Sequence, residues 1–471
     1  MKTSVYILYT GGTIGMKPGS TGALVPASRD ELLACLTGLG EESGVAWELG
    51  SLTEEDGSEV GPLDSSAVSP AHWVTIAAAL ERVYAKYDGF VVLHGTDTLA
   101  YTASALSFLL VNLAKPVILT GAQRPIFCER TDAHQNLINA LHIAGYKATG
   151  LPLVAEVAVC FGDALLRGNR TRKYSTAAWQ GFASPNYPRL GDLGETIVIH
   201  KSRLRPVPDA EAPFYIHRRL EGEVMDVTLF PGVKASQFQA MTSLPGLRGL
   251  LLRTFGSGTT PRNPELLEAI GEAARRGLAL LVITQCYEGS VDLGRYDASS
   301  ALLEERLSSG FDLTPEAALT KLMWLLALES GREAGVQLAI SHRGEQSFNQ
   351  FDLVFPPPTE ATNLHEVSQR AAGPVSRARL KRAIVRVSGL ESQAPVRVFL
   401  NAAGLSPQTP SQDVRCLAEL NPDGGHAVAD VSEGVKRLMV AERPFRLTVT
   451  AAGQPFSYQR LTLSLLLEAP D

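Results

Sequence analysis

Val5-Tyr6-Ile7-Leu8-Tyr9, running directly into Thr10-Gly11-Gly12-Thr13-Ile14-Gly15, is the stretch that decides the fold. The first five residues read as a buried strand. The glycines behind them can take positive φ and let a ligand approach the main chain. The turn has neither Gly-Lys-Ser/Thr nor G-x-G-x-x-G, so it is not a phosphate cradle. What it presents is a threonine hydroxyl, Thr13, on a glycine hinge. The same grammar recurs downstream. Apolar runs at 90–94, 116–120, 153–161, 249–254 and 278–284 alternate with helical patterns at 71–85, 98–113, 133–144, 264–276 and 315–328. Pro264 and Pro315 suit a first helical turn, with Asn263 and Thr314 as N-caps. This alternation predicts an α/β fold whose parallel sheet is covered by helices on both faces. Ligands of such sheets bind beyond the carboxyl ends of the strands.

The chain has 471 residues, 45% hydrophobic and 20% charged, enough for two or three domains with substantial cores. A net charge of −6 argues against a chain built to coat nucleic acid or an anionic membrane. The five cysteines are scattered with no C-x-x-C, and the nine histidines form no H-E-x-x-H or H-x-H. Neither a disulfide framework nor a metal site is expected. No signal-peptide pattern or apolar run near ~18 residues occurs, so a soluble, cytoplasmic protein without membrane or nucleic-acid partners is expected.

Chemistry is sought where the strands end. His94-Gly95-Thr96-Asp97-Thr98 follows one, Thr120-Gly121-Ala122-Gln123-Arg124 another, and Arg167-Gly168-Asn169-Arg170-Thr171-Arg172-Lys173 lies beyond a third. Asp64-Ser65-Ser66 offers a carboxylate and two hydroxyls ahead of a helix. Singly, each has a plain reading: a tight turn, a helix cap, or a solvated cationic loop. Together they contain a Thr/Lys/Asp set. A threonine hydroxyl is a poor nucleophile at pH 7 and needs a partner to take its proton, which lysine oriented by aspartate can supply. Backbone N–H groups would then stabilise an oxyanion. No Gly-x-Ser-x-Gly and no Cys/His pairing competes for the role.

The segments 9–16, 94–98 with Ala100-Tyr101-Thr102-Ala103, and 119–123 resemble the bacterial-type L-asparaginases. Arg167-Gly-Asn-Arg170 with Lys173, and Phe182-Ala-Ser-Pro-Asn186, resemble their cytoplasmic type I branch, and the resemblance spans residues 4–346. It implies a two-domain asparaginase fold, with a parallel-sheet domain over 1–195 and a smaller α/β domain over 196–350. It also implies hydrolysis of L-asparagine to L-aspartate and ammonia through a Thr13 acyl-enzyme, without metal or cofactor. Thr96, Asp97 and Lys173 would form a second polar triad. Asp64, Ser65 and Ser66 would grip the substrate α-groups with Thr96 and Asp97, and the N–H groups of Gly12 and Thr96 would be the oxyanion donors. The tyrosine that often follows the nucleophile is missing from Gly22-Ala-Leu-Val-Pro26. Tyr296 is the counterpart that some type I members use, with Tyr287 as the substitute. A second, allosteric asparagine site would involve Arg253, Thr284, Gln285 and Cys286, although Arg172 stands where a threonine is usual. Such enzymes are homodimers or homotetramers.

The last quarter changes character. A proline-rich linker is expected over 351–375, then a small all-β sandwich over 376–471, with strands at 383–387, 396–400, 414–420, 445–450 and 460–467 and either a strand or a short helix at 430–440. Two other readings compete with the hydrolase: a weakly catalytic scaffold acting through its C-terminal domain, and an ammonia-supplying amidotransferase subunit.

Overall fold

Alternate residues of the first strand face opposite layers. The computed structural model describes residues 4–19, 23–293, 307–371, 373–421, 425–440 and 443–470, with side chains at all of these but 40 and 332. In β1 (Ser4–Tyr9), Val5, Ile7 and Tyr9 enter one core while Leu8 enters the other. The first core packs against the helix Ala133–Ala144 through Leu137, Ala140 and Leu141. The second packs against Pro70–Val83 through Trp73 and Ile76, and against Leu99–Leu109 through Ala103 and Leu106. A strand buried on both faces needs the near-continuous apolar run seen here, because no side can afford polar alternation.

Eight strands form the main sheet. We number β2 (Ala46–Ser51), β3 (Gly89–Leu93), β4 (Val117–Thr120), β5 (Val157–Phe161), β6 (Ala164–Arg167), β7 (Gly191–Leu193) and β8 (Ile197–Ile199); the spatial order is β8-β7-β6-β5-β4-β3-β1-β2. The five strands from β2 to β5 are parallel, and β6, β7 and β8 extend one edge by antiparallel pairing. The sheet is therefore mixed at that edge, which places the residues after β6 beside the helix Leu99–Leu109.

A smaller four-stranded parallel sheet follows: β9 (Val224–Thr228), β10 (Gly249–Thr254), β11 (Ala279–Thr284) and β12 (Ser308–Ser309). Its helix Pro264–Arg275 starts with Asn263 Oδ1 accepting from the N–H of Glu265 (3.0 Å), and Pro315–Leu328 with Thr314 Oγ1 accepting from Ala317 (3.2 Å), both as expected. The latter helix joins the two halves: Trp324 stacks on Phe108, ring centroids 5.2 Å apart.

Residues 339–341 and 347–470 form a separate compact unit. It is a sandwich of two four-stranded antiparallel sheets: β13 (Phe348–Phe355), β20 (Arg460–Glu468), β15 (Leu380–Ser388) and β18 (His426–Asp430) in one; β14 (Leu364–Gln369), β19 (Phe445–Ala451), β16 (Val396–Leu400) and β17 (Cys416–Leu420) in the other. The expected linker over 351–375 is corrected by this. Phe351, Leu353 and Phe355 alternate inward from β13, and β14 pairs with β19 along its length. Pro356-Pro357-Pro358 is a corner between two sheets rather than a tether; with no amide hydrogens it ends the ladder where the chain must turn. The ambiguous stretch 430–440 is a helix, Ser432–Leu438, after the end of β18.

In the first unit, Lys321 is fully buried with its Nζ 2.8 Å from Glu345 Oε1, and it donates to Gln346 Oε1 (2.7 Å) and the Leu338 carbonyl (2.9 Å). Removing one partner of a buried pair strands the other. Lys321→Met is expected to lower stability by about 3–5 kcal/mol in denaturant unfolding, and the double variant Lys321→Met/Glu345→Gln to recover part of that loss.

Candidate active site

The loops after β1 and β3 touch backbone to backbone. Gly11 and Gly12 sit at φ +119° and +87°, where glycine is favoured. A Cβ on Gly12 would lie 2.2 Å from the Gly95 nitrogen, and one on Gly11 would lie 2.2 Å from the Leu63 carbonyl oxygen. A Cβ on Gly95 would meet Ser65 Oγ at 2.5 Å, and one on Gly121, after β4, the His94 carbonyl at 2.4 Å. Four loops therefore meet at distances that only glycine, with no Cβ, permits. Thr13 and Thr96 are the next residues along two of them. The half-buried Thr13 opens a 3-10 turn, Thr13–Gly15, and its hydroxyl has no hydrogen-bond partner among the described residues.

Asp64 caps the short turn Ser65–Ala67, its Oδ1 accepting from the N–H of Ser66 at 3.0 Å. Thr98 Oγ1 donates to the Ser65 carbonyl at 2.7 Å, tying this turn to the loop of Thr96 and Asp97. The plain cap reading of Asp64 is thus correct, and the cap also sets the 64–66 turn beside the other loops.

Lys173 enters from the mixed edge of the sheet. It lies in a two-residue strand, Arg172–Lys173, paired with Phe182–Ala183. The preceding cationic run is not a solvated loop, because Arg167, Asn169 and Arg170 are all buried. Arg167 Nε is 2.7 Å from Glu156 Oε2, and Arg170 Nη1 is 2.9 Å from Asp312 Oδ2. So anchored, Lys173 Nζ donates to Thr96 Oγ1 at 2.8 Å and to Asp97 Oδ1 at 2.7 Å. Thr96 is buried, while the Asp97 side chain is 67% exposed, so the pair faces an open crevice.

His94 went unnoticed in the sequence beyond its place in the motif. It is fully buried and links a one-way chain: Trp73 Nε1 donates to Thr102 Oγ1 (3.0 Å), the Thr102 hydroxyl to His94 Nε2 (2.9 Å), and His94 Nδ1 to the Gly95 carbonyl (2.8 Å). That direction assigns the proton of a neutral ring to Nδ1. Holding the Gly95 carbonyl fixes the peptide plane that carries the Thr96 N–H. The spacing of His94 and Thr102, on one end and the first turns of a helix, was the signal available.

One expectation is overturned. The Gly12 N–H donates to the Leu63 carbonyl at 3.0 Å and is already committed. The N–H groups of Thr13 and Thr96 have no partner among the described residues. Tyr296 lies outside the described residues. Tyr287 is exposed, with the Arg172 guanidinium 5.7 Å from its ring. Arg253, Thr284, Gln285 and Cys286 lie at the ends of β10 and β11. There Arg253 chelates Asp226, Gln285 Nε2 donates to the carbonyls of Leu229 (2.6 Å) and Arg253 (3.0 Å), and the Cys286 N–H donates to Thr284 Oγ1 (3.0 Å). Arg172 points toward this set, 3.9 Å from the buried Glu316, whose carboxyl pKa is raised by burial. No group of residues able to hold a metal ion occurs among the described residues, and no helix among them is long and apolar enough to cross a membrane.

Burial pushes the His94 pKa down to about 4. An unfolded histidine takes its proton near 6.5, so the unfolded state binds more protons between those values. The stabilisation is complete above pH 6.5 and lost as pH falls toward 4, by about 3 kcal/mol. His342, also held at about 4 by burial and Lys321, acts in the same direction. Unfolding midpoints measured from pH 7 to 4 should therefore fall less steeply in His94→Gln than in the unsubstituted chain, and equal slopes would refute this assignment.

The asparaginase N-terminal family model matches residues 4–205, and the glutaminase/asparaginase C-terminal domain model matches residues 223–338. L-asparaginase 1 of Escherichia coli (strain K12) is 39% identical over 349 residues, covering 73% of this chain and 98% of that protein. The crystal structure of L-asparaginase I from Vibrio cholerae superposes with a TM-score of 0.66 at 36% identity, over 74% of this chain and 100% of the other. The thermostable L-asparaginase of Thermococcus kodakarensis gives 0.64 at 33%, over 73% and 99%. The second of the family-model matches ends at residue 338, and the sandwich unit begins at residue 339. With two family models covering more than half its length and relatives matched nearly end to end, the chain belongs to the asparaginase family.

Proposed function

We propose that the chain is an L-asparagine amidohydrolase, and the observation that carries this is Lys173 bonded at once to Thr96 and Asp97 beside the loop of Thr13. Thr13 Oγ attacks the side-chain amide carbon as its proton passes to a base, for which Tyr296 is our candidate. The resulting oxyanion is held by the N–H groups of Thr96 and Thr13, the latter in place of Gly12. Collapse with protonation of the leaving nitrogen releases ammonia and leaves a β-aspartyl ester on Thr13. Water positioned by Thr96 then opens the ester, its proton moving toward Lys173, while Asp97 orients the lysine.

The substrate ammonium is assigned to the carboxylates of Asp64 and Asp97, each of which has one oxygen engaged within the protein and the other to offer. The α-carboxylate is assigned to Ser65 and Ser66. We place the protein in the cytoplasm, in keeping with five free cysteines, and expect a homodimer or homotetramer.

Purified protein should release ammonia from L-asparagine, and Thr13→Ala should abolish it. Lys173→Met should cost roughly 10²–10⁴-fold in kcat, and Tyr296→Phe should reduce kcat as well. A folded but inert protein would return the scaffold reading.

Arg253, Thr284, Gln285 and Cys286 are proposed as a second asparagine site that Arg172 restricts. A sigmoidal dependence of rate on asparagine is expected, steeper in Arg172→Thr; hyperbolic curves for both proteins would withdraw the site.

A further inference from the structure

At the opposite end of the parallel strands from Thr96, where β5 begins, lies a cavity of about 80 Å³. Its polar lining is lopsided in charge. Arg167, Arg205 and Arg343 reach it, against one carboxylate, Glu156. Glu156 is already spent: Oε2 accepts from Arg167 Nε (2.7 Å) and Oε1 from the Arg205 backbone N–H (2.9 Å). Arg167 completes its bonding with the carbonyls of Gly344 (3.4 Å) and Arg203 (2.8 Å). The Arg205 guanidinium has no hydrogen-bond or ion-pair partner among the described residues. Arg343 donates from Nη1 to the His342 carbonyl at 2.9 Å and faces the Trp324 ring, while its backbone N–H donates to Glu345 Oε2 at 2.6 Å, a carboxylate already paired with Lys321. Burial lowers the pKa of both groups, against the pull of Glu156 and Glu345 on Arg205 and of Glu345 on Arg343.

Two acceptors complete the lining. Asn169, 1% exposed, gives its Nδ2 to the Arg343 carbonyl (3.0 Å) and leaves its buried Oδ1 without a partner. Ser107 donates to the Ala103 carbonyl (2.8 Å), so its hydroxyl can only accept inside the cavity. An anion with no hydrogen of its own, such as sulfate, satisfies the guanidinium groups and leaves the acceptors unmet. Water satisfies the acceptors but brings no negative charge to Arg205 and Arg343, whose carboxylate neighbours Glu156 and Glu345 are already paired with Arg167 and Lys321. Hydrogen phosphate carries anionic oxygens for the guanidinium groups and one P–OH donor for the orphaned Asn169 Oδ1, and the volume suits a free ion rather than the ester of a larger metabolite. Arginine forks match phosphate oxygens in geometry as well as charge.

We propose that the Arg205/Arg343/Asn169 cavity binds inorganic hydrogen phosphate, independently of the catalytic crevice. The test is isothermal titration calorimetry of the full chain with sodium phosphate, sulfate or chloride at constant ionic strength, read alongside the unfolding midpoint. Saturable one-to-one phosphate uptake with a rise in midpoint is expected, with sulfate at least about tenfold weaker. Arg205→Gln, which breaks no bond within the protein, should weaken phosphate roughly ten- to hundredfold, and Arg343→Gln should do the same. No saturable uptake by the unsubstituted chain, undiminished uptake by both variants, or equal affinity for sulfate would each overturn the proposal.

Discussion

Gly12 and Gly95 touch with no room between them for even a methyl group. This one steric constraint organises the catalytic side of the molecule. It brings the turn after β1 against the turn after β3, so that Thr13 and Thr96 emerge next to one another from strands that are themselves neighbours. The same close approach, continued from Gly95 to Ser65, seats the Asp64 turn. Catalysis by a weak hydroxyl nucleophile depends on placing groups to within fractions of an ångström, and a displacement of about 1 Å can cost 10²-fold. Main chain set against main chain is a stiffer way to fix such distances than contacts between long side chains.

The lysine that serves these loops is delivered by different means. Lys173 comes from the antiparallel edge of the sheet, through a segment pinned by the Arg167–Glu156 and Arg170–Asp312 pairs. Strand ends are fastened laterally as well: Thr10 Oγ1 donates to the Leu93 carbonyl at 2.8 Å and Thr120 Oγ1 to the Cys160 carbonyl at 2.7 Å. The hydroxyls that follow the strands thus do two jobs. Some hold neighbouring strands in register, and others are left facing the crevice.

Strands buried on both faces, glycine turns and proline-led helices are local in sequence, which is why β1, β3, β4 and the caps Asn263 and Thr314 are legible in the sequence alone. Misreadings arose where the deciding partner is remote. Arg170 reads as a surface charge until Asp312, 142 residues away, is known to face it. The Gly12 N–H reads as a free donor until the Leu63 carbonyl is placed beside it. In the sandwich, the three prolines mask the in-out alternation of Phe351, Leu353 and Phe355, so a strand and its corner read as a tether. Convergence of Thr13, Thr96, Asp97 and Lys173 followed from the topology of strand ends, but the bond from Lys173 to Thr96 required the edge pairing that only the structure describes.

The buried pairs Arg167–Glu156, Arg170–Asp312 and Lys321–Glu345 have a thermal consequence. Charged groups lose part of their favourable hydration free energy as temperature rises, so the cost of keeping them from water shrinks on heating, while hydrophobic stabilisation per unit area levels off. The segment that presents Lys173 is therefore fastened by interactions whose relative weight grows with heat. On warming, the scaffold behind the crevice should loosen later than regions held by apolar packing alone, and the geometry around Lys173 should outlast the softening of its surroundings.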